Sequence, residues 1–404
     1  MKPVINHFTD NDLYSFTCMY YILQEYPRAE TEYCFFDRNK TCYPKGFDQL
    51  LREQLNYLEH VVITDEEMEF MTRSFPFLPY WFINVFLRGY RFNPKELTIS
   101  QDEEGHLDIR VKGKWWSTIM WEMPILSTIS ELMHILNGDA QTYDEEKEYA
   151  RSLEKGRRIW RSGLTLGDMG TRRRFSFKHQ ERVIDALIAS YAEVKEETNG
   201  QCGKFTGTSN VYLAMKKNIP CLGTMSHQCI SFEEIVSGVF ECNYNMMSKW
   251  SEVYDGNVGI FLYDCFGDNV FFNNLSKRMA MTFCGLRIDS GVEEEQVDRI
   301  VEKYKQLGID PMTKQAVFSN GLNIERAIEI HNYCKGKITD GYGVGTFLTC
   351  DVTDCKPMNI VVKLIRGRIT ESREWHPCVK LSCDKGKTLG DKAKCDYLLS
   401  VLNE

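Results

Sequence analysis

The 404-residue chain lacks any apolar run long enough to cross a bilayer. Residues 1–12 contain polar and acidic side chains where a secretory signal would need an apolar stretch. Low-complexity tracts, long charge blocks and short-period repeats are also missing. These absences argue against a membrane protein or a secreted one, and we expect a cytoplasmic protein without a membrane partner.

The chain has 15 cysteines but no Cys-x-x-Cys pair. In a cytoplasmic protein such cysteines are most simply reduced and mostly buried thiols. Cys378, Cys383 and Cys395 could bind zinc with His376 as a fourth ligand, but their spacing matches no standard zinc knuckle. We therefore predict no structural metal.

An excess of positive charge is missing too, because 49 basic residues face 57 acidic ones and the net charge is −8. This balance argues against a general nucleic-acid binder. With 43% hydrophobic and 26% charged residues, the composition is that of a globular protein with a substantial core. The length suits two or three domains, or one barrel-sized domain with a smaller one.

Short apolar runs recur through residues 161–349, and each ends in small or polar residues. They lie at residues 163–167, 204–206, 219–224, 259–263, 279–286, 315–318 and 338–342. Residues 296–307 and 323–333 have the apolar spacing of helices. This alternation is typical of a β/α barrel, whose active site lies at the carboxyl ends of the strands. An open doubly wound sheet gives a similar pattern, and periodicity does not choose between them.

The two ends of the chain have a different pattern. Residues 97–99, 107–111 and 359–364 resemble strands, and the N-terminal part mixes strands with helices. We expect the ends to pack together as an α+β domain. The predicted division is residues 1–135 with 350–404 for that domain, and 136–349 for the barrel.

Two glycine-containing turns end the last predicted strands, at residues 319–321 and 343–346. Such turns present backbone N–H groups to a phosphate, and in β/α barrels the phosphate site is often built from these last loops. Tight turns between a strand and a helix are the alternative reading. The order of the strands favours phosphate binding.

His227 follows a glycine-containing strand end. Near pH 7 a neutral imidazole can act as nucleophile or base, and a carboxylate on its Nδ1–H would fix the tautomer. Asp264, at the next strand end, is the candidate carboxylate. The alternative is a hydrogen-bonded structural histidine.

Arginines stand near two other strand ends. Arg172, Arg173 and Arg174 could clamp phosphates or a carboxylate, although such runs usually lie on a solvated surface. Arg287 and Asp289 would share one face of a strand. One could bind an anion and the other ribose hydroxyls, or the two could form an internal salt bridge.

Taken together, these motifs resemble those of the nicotinate phosphoribosyltransferase family, and the resemblance covers nearly the whole chain in one order. The motifs are DNDLY at 10–14, FFDRN at 35–39, DMGTRRRFS at 168–176, GTSN at 207–210, GTMSH at 223–227, RIDSG at 287–291, GVGT at 343–346 and PMNIVVKL at 357–364.

The resemblance implies an irregular β/α barrel plus an α+β domain formed from both chain ends. It implies transfer of the phosphoribosyl group of phosphoribosyl pyrophosphate (PRPP) to nicotinate, giving nicotinate mononucleotide for NAD salvage. It also implies Mg²⁺ on the pyrophosphate, ATP coupling through a phosphohistidine at His227, and a homodimer with shared active sites.

The resemblance also assigns site residues, and it places Tyr14 of the partner subunit against the pyridine ring. The implied catalytic residues are His227, Asp264 and Asp289. The implied substrate-binding residues are Tyr14, Arg38, Met169, Arg172, Thr208, Ser209 and Arg287. The implied phosphate-binding residues are Ser319, Gly321, Gly343, Gly345 and Thr346.

One position bears on the choice of base. Related nicotinamide enzymes have an aspartate where this chain has Ser209, and a carboxylate there would repel nicotinate, so serine favours nicotinate. The chain departs from the family pattern at several other positions. These positions are Ser15, Met169, Gln228, Val292 and Asn320. The alternatives are therefore a phosphoribosyltransferase with an altered base, or a catalytically weakened ligand-binding homologue.

Overall fold

The computed structural model describes residues 1–381 and 390–402. The described strands are β1 (Glu30–Asp37), β2 (Leu97–Gln101), β3 (Leu107–Lys114), β4 (Thr165–Asp168), β5 (Lys204–Thr208), β6 (Ile260–Leu262), β7 (Gly285–Ile288), β8 (Gln315–Phe318), β9 (Thr339–Val344), β10 (Ile360–Arg368) and β11 (His376–Pro377).

The described α-helices are α1 (Leu13–Glu25), α2 (Phe47–Tyr57), α3 (Asp65–Ser74), α4 (Trp115–Thr118), α5 (Glu122–Leu136), α6 (Asp139–Thr142), α7 (Glu145–Arg161), α8 (Phe177–Glu197), α9 (Val211–Lys217), α10 (His227–Ser237), α11 (Cys242–Val253), α12 (Asp268–Asn274), α13 (Lys277–Thr282), α14 (Glu293–Gln306), α15 (Ile324–Cys334), α16 (Thr346–Thr349) and α17 (Lys392–Leu402). None of the helices in the described ranges has both the length and the apolar character that a bilayer crossing requires.

Strands from both chain ends form an antiparallel sheet in the order β11-β10-β1-β3-β2. The central strand β1 pairs with β3 on one side, with Tyr33 opposite Val111, and with β10 on the other, with Phe35 opposite Val362. The predicted strands at 97–99, 107–111 and 359–364 all fall within this sheet. The exact division between domains stays a prediction.

A second, wholly parallel sheet has the order β5-β4-β9-β8-β7-β6. Neighbours in this sheet are neighbours in the chain, except that the last strand, β9, pairs with the first, β4. A bridge from Thr208 to Cys221 continues the ladder beyond β5. This cyclic order is that of a singly wound barrel and not of a doubly wound sheet. The predicted fold class, an irregular β/α barrel with an α+β part, is confirmed.

Two predicted strands differ from the structure. Residues 219–224 make only the isolated bridge at Cys221, because Pro220 has no N–H to donate to a ladder. The first half of the predicted strand at 279–286 is helix α13, which begins where the Ser276 hydroxyl accepts a hydrogen bond from the backbone N–H of Met279. The strand proper, β7, starts only at Gly285.

Capping residues fix the beginnings of several helices. Thr64 and Glu67 form a reciprocal capping box at α3, and the Asn323 side chain accepts from the backbone of α15. The apolar face predicted for residues 296–307 is buried in α14, where Val297 and Ile300 are fully inaccessible to solvent. Burial of such faces against the parallel strands forms the core of the barrel.

A buried ion pair joins the N-terminal segment to the barrel. The Arg174 guanidinium donates to both carboxylate oxygens of Asp10, at 2.6 and 2.8 Å, and both side chains are almost fully buried. The Asn210 amide donates to the same carboxylate at 2.7 Å. This junction holds the start of α1 against the carboxyl ends of the parallel strands.

Candidate functional site

A cavity of about 440 Å³ opens where the antiparallel sheet and α1 meet the barrel. Its lining includes eight residues that the sequence had indicated. These residues are Tyr14, Met169, Arg172, Ser209, His227, Arg287, Asp289 and Gly343. Residues scattered over more than 300 positions therefore lie around one enclosed space, at the strand ends where a barrel enzyme has its active site.

His227 begins α10, and Asp264 follows β6 by two residues. The His227 Nε2 lies 2.8 Å from Asp264 Oδ1 and 3.8 Å from an Asp289 oxygen. The expected carboxylate is thus in contact with the ring, but at Nε2 and not at Nδ1. His227 is the first residue of α10, and its Nε2 is the ring atom that contacts Asp264. Burial and the nearby Lys380 ammonium lower the pKa of His227 to about 4, so the imidazole is neutral at pH 7.

Lys380 is the main residue that the sequence reasoning missed. Its Nζ lies 2.8 Å from His227 Nε2, 3.1 Å from Asp264 Oδ2 and 3.9 Å from Asp289 Oδ2. Burial acts against its charge, but the carboxylates of Asp264 and Asp289 raise the pKa of Lys380 above its usual value. A single lysine within the apolar run from Cys378 to Leu381 was the available signal.

A hydrogen-bonded network fixes the next strand end. Ser319 donates its hydroxyl to Asp289 Oδ1 at 2.8 Å and accepts from Arg287 Nε at 2.8 Å. Arg287 and Asp289 form an ion pair of 3.7 Å, as one of the two readings expected, and both line the large cavity. Binding of an anion and of ribose hydroxyls by these residues stays a prediction. Burial acts against the charged form of Asp289, but the positive Arg287 and Lys380 side chains and the neighbouring His227 hold the pKa of Asp289 below its usual value.

A smaller cavity of about 50 Å³ adjoins the first and shares Met169, Arg172, Arg287 and Gly343 with it. All five predicted phosphate-binding residues line it. They are Ser319, Gly321, Gly343, Gly345 and Thr346. Arg173 also lines this space, so backbone turns and guanidinium groups surround it, as an anion requires.

Gly343 lies in close contact with the Met169 side chain. A side chain there would place its Cβ about 2.3 Å from the Met169 sulfur. Met169 in turn separates the two cavities and lines both. The glycine therefore allows the thioether to approach the strand end directly.

The three consecutive arginines have three different roles in the structure. Arg174 is fully buried in the ion pair with Asp10 and does not line either cavity. Arg172 lines both cavities and lies 3.5 Å from Glu122. Burial and the positive charges of Arg172 and Arg38 lower the pKa of Arg173 to about 10. Adjacent identical residues thus divide between the fold and the site.

Tyr14 lies in the cavity of its own chain, which differs from the expectation that the partner subunit supplies it. It is positioned there because the Asn11–Asp12 segment is held against Ser209 and Asn210, and α1 begins directly afterwards. The Tyr14 hydroxyl donates to Glu122 Oε2 at 2.7 Å.

The Ser209 hydroxyl donates to Asp12 Oδ1 at 2.7 Å. A carboxylate therefore stands beside this position after all, supplied by the N-terminal segment. Burial raises the pKa of Asp12, while hydrogen bonds from Ser209 and Thr171 oppose that shift. Serine at 209 does not by itself remove negative charge from this end of the cavity.

Two predicted substrate-binding residues do not line either cavity. The Thr208 hydroxyl donates to Asp168 Oδ2 at 2.7 Å and is fully buried. Arg38 is exposed beyond the end of β1, although its positive charge contributes to lowering the pKa of Arg173. Lys363 of β10 was not predicted, yet it lines the large cavity, and burial with the Lys380 and Arg172 charges lowers its pKa to about 8.

The departures from the family pattern lie in different surroundings. Ser15 is buried and donates to Asn11 at 2.8 Å, and Gln228 lines the cavity and bonds the Tyr33 hydroxyl. Val292 is 52% exposed at the start of α14, and the amide of Asn320 approaches Glu293 at 3.5 Å. Ser15 and Gln228 are thus accommodated by local hydrogen bonds.

The zinc arrangement considered for the C-terminal cysteines is not formed by the described part of the chain. Cys378 and Cys395 are buried, while His376 lies exposed in β11. These three do not bring their ligand atoms together as a set. Cys383 lies outside the described residues.

Comparison with known proteins agrees with this geometry. Residues 164–404 match the model of the nicotinate phosphoribosyltransferase (NAPRTase) family, and residues 9–130 match the model of its N-terminal domain. A nicotinate phosphoribosyltransferase of Desulforapulum autotrophicum is 37% identical over 99% of each chain. One from Chromohalobacter salexigens is 34% identical over 99% of this chain and 98% of the relative.

Solved structures agree as well. The nicotinate phosphoribosyltransferase of Porphyromonas gingivalis superposes with a TM-score of 0.93 at 37% identity, covering 99% of this chain and 100% of that one. A putative nicotinate phosphoribosyltransferase of Saccharomyces cerevisiae gives a TM-score of 0.89 at 26% identity, covering 100% and 99%. The chain therefore belongs to the nicotinate phosphoribosyltransferase family.

Proposed function

We propose that this chain transfers the 5-phosphoribosyl group of PRPP to nicotinate, giving nicotinate mononucleotide and pyrophosphate for NAD salvage, and that ATP hydrolysis is coupled to the reaction through phosphorylation of His227. The observation that carries the proposal is the pair of adjoining cavities. They bring a neutral histidine with its carboxylate, three arginines and the glycine turn at 343–346 into one space. The names of the relatives support the same substrates.

Nicotinate would occupy the end of the large cavity near Tyr14 and Met169. The Tyr14 ring can stack on a pyridine, a contact worth about 0.5–1.5 kcal/mol beyond area burial, and the Met169 thioether can pack against the other face. The nicotinate carboxylate needs a cation, and Arg172 and Lys363 line the same cavity. These two charges offset the carboxylates of Asp12 and Glu122.

PRPP would place its phosphates in the smaller cavity and its ribose beside Asp289. Loss of pyrophosphate builds positive charge on the ribose, which a nearby carboxylate stabilises, while guanidinium and backbone N–H groups bind the leaving group. Arg173 and Arg287 line this space. Holding both substrates in line lowers the entropic cost of the transfer.

Mg²⁺ would bind with the pyrophosphate of PRPP. Asp264 and Asp289 lie together near His227 and offer the carboxylate oxygens that this ion prefers. When bound, the ion neutralises negative charge on the leaving group.

ATP coupling requires a nucleophilic imidazole. A neutral ring is available because the pKa of His227 is lowered to about 4. A His227 nitrogen would attack the γ-phosphorus, forming a P–N bond while the bond to ADP breaks, and water would later release phosphate. Lys380, 2.8 Å from the ring, would balance the added negative charge.

We also propose a homodimer with shared active sites. Arg38 carries this part of the proposal, because it is exposed beyond β1 and lines neither cavity of its own chain. The variants Arg38→Ala and His227→Ala should each lack ATP-stimulated synthesis, and mixing them should restore it if Arg38 serves the other subunit. Sedimentation would give the oligomeric state.

The decisive experiment supplies PRPP and Mg²⁺ with nicotinate or nicotinamide, with and without ATP. Formation of nicotinate mononucleotide only, increased by ATP, supports the proposal. Product from another base indicates an altered specificity, and ligand binding without product indicates a homologue that has lost catalysis.

A further inference from the structure

A second cluster of metal-ligating side chains lies outside the site described above. His134 of α5, Asp139 at the start of α6, and Cys355 bring one ligand atom each to within 4.8 Å of one another. His134 Nδ1 is 2.7 Å from Asp139 Oδ2. His134 is almost fully buried, whereas the Asp139 side chain is 27% exposed, so an ion could enter from solvent.

The geometry points to a zinc site formed by His134 Nδ1, Asp139 and Cys355, with the fourth position open to water. Nitrogen, carboxylate oxygen and thiolate are the donors that Zn²⁺ takes in tetrahedral sites, while Mg²⁺ and Ca²⁺ take oxygen ligands. Binding would form Zn–N, Zn–O and Zn–S bonds. The hydrogen bond between His134 Nδ1 and Asp139 would be lost as the ring proton moves to Nε2, and the S–H bond of Cys355 would break with release of its proton to buffer.

The surroundings of His134 match those of a metal ligand. Its other nitrogen, Nε2, lies 3.4 Å from the Cys350 sulfur. Ligating histidines usually donate the second N–H to a carboxylate, a backbone carbonyl or water, which fixes the ring orientation, and the Cys350 sulfur lies at that place. Phe175 packs against the His134 ring at 4.7 Å between centroids, and Tyr143 stacks on Phe175. One side of the cluster is therefore apolar.

The position of the cluster connects it with the phosphate turn. Cys350 directly follows α16, and Thr349 contacts both Gly170 and Phe175 through hydrogen bonds of 2.8 Å. An ion on Cys355 would thus join the segment after the phosphate turn to the end of α5. This assignment does not depend on the proposed reaction.

The test uses full-length protein without a histidine tag, treated with a chelator and then dialysed against Zn²⁺ or Co²⁺. We expect one equivalent of Zn²⁺ by elemental analysis, and a sulfur-to-cobalt charge-transfer band in the Co²⁺ form. Cys355→Ser should remove the band and the stoichiometric ion. Cys350→Ser should weaken binding by roughly 10- to 100-fold, as loss of an outer partner does.

Controls separate this cluster from others. Cys284→Ser removes an exposed cysteine that is not part of the cluster, and should leave the band and the bound ion unchanged. His106→Gln removes the exposed group of Asp102, Glu104 and His106, and should also change nothing. Loss of the ion in His106→Gln, or its retention in Cys355→Ser, would overturn the assignment.

A measurement on the wild-type protein tests the site even if a variant fails to fold. Zn²⁺ should protect Cys355 from alkylation by iodoacetamide, as peptide mass mapping would show, while the exposed Cys284 stays reactive. Equal alkylation of Cys355 with and without Zn²⁺ would likewise refute the site.

Discussion

Two histidine–aspartate pairs lie on the parallel barrel, one at each end. His227 and Asp264 meet at 2.8 Å at the carboxyl ends of the strands, and His331 and Asp340 meet at 2.8 Å near the start of β9. The imidazoles are similarly buried, with 14% and 16% of their side chains exposed. Among the described residues, only the first pair has Lys380, Asp289 and a large cavity beside it. A matching pair of side chains thus gains a chemical role from its neighbours and from the end of the barrel on which it lies.

Removal of each imidazole in turn tests whether the two pairs differ in function. In His227→Ala, the stimulation of nicotinate mononucleotide synthesis by ATP should vanish, since the phosphoryl acceptor is gone, while a slow basal reaction can survive. His331→Ala is the matched control and should retain stimulation. Initial rates with and without ATP decide the matter, and stimulation that persists in His227→Ala refutes the phosphohistidine role.

A second change compares a buried pair that holds the fold with the pairs at the site. Arg174→Met leaves the Asp10 carboxylate buried without its guanidinium, which should cost about 4 kcal/mol of unfolding free energy. Denaturant unfolding measures this. The double variant Arg174→Met with Asp10→Leu should recover a large part of the loss, and Arg172→Met should leave stability nearly unchanged. A loss equal in the double variant would contradict this account.

Lys380→Met removes the cation that distinguishes the His227 pair from its counterpart. We expect the ATP-stimulated rate to fall by about 10²-fold, or about 2.7 kcal/mol, as loss of one charge-stabilising donor does. Lys380 also lowers the pKa of His227, so that pKa should rise in the variant, as NMR titration would report. Lys380→Arg should preserve the low pKa. A pKa that stays the same in Lys380→Met would show that the ammonium does not act on the ring.

The smallest expected effect concerns His179, a buried imidazole outside both pairs. Burial lowers its pKa to about 4 from the usual 6.5. Between those values the unfolded chain binds more protons than the folded one, so this group makes stability rise with pH. Asp168 opposes the trend, because burial raises its pKa to about 6. Asp168 is present in both wild type and His179→Gln, so its contribution cancels when their unfolding free energies are subtracted. That difference in unfolding free energy should rise by about 1.4 kcal/mol per pH unit between pH 5 and 6. A difference independent of pH would contradict the lowered pKa.

Much of the fold could be predicted because strand ends and helix faces follow local rules. The runs before Asp168, Asp264 and Ser319 became strands, and the face of α14 was buried as its spacing indicated. The strand predicted at 219–224 was wrong because Pro220 cannot donate a ladder hydrogen bond. A prediction based on apolar residues alone does not take this into account.

The site was predictable where chemistry follows a strand and unpredictable where distant segments meet. The glycine turns and His227 could be predicted because each directly follows a strand-like run in the sequence. Lys380 contacts the His227 ring although the two residues are 153 positions apart in the sequence. Asp12 and Ser209, which form a hydrogen bond, are 197 positions apart. Long-range placements such as these depend on tertiary packing, and no spacing rule encodes them.

The order of the parallel strands has one further consequence. Within the described ranges the ladder runs from Cys221 round to β6 but does not join those two, and α10 is inserted between them in the chain. His227, the proposed phosphate acceptor, therefore begins the helix that lies in the chain between the two unjoined ends of the ladder. Since the described ladder does not run through α10, a displacement of this helix would break no hydrogen bond between the described strands.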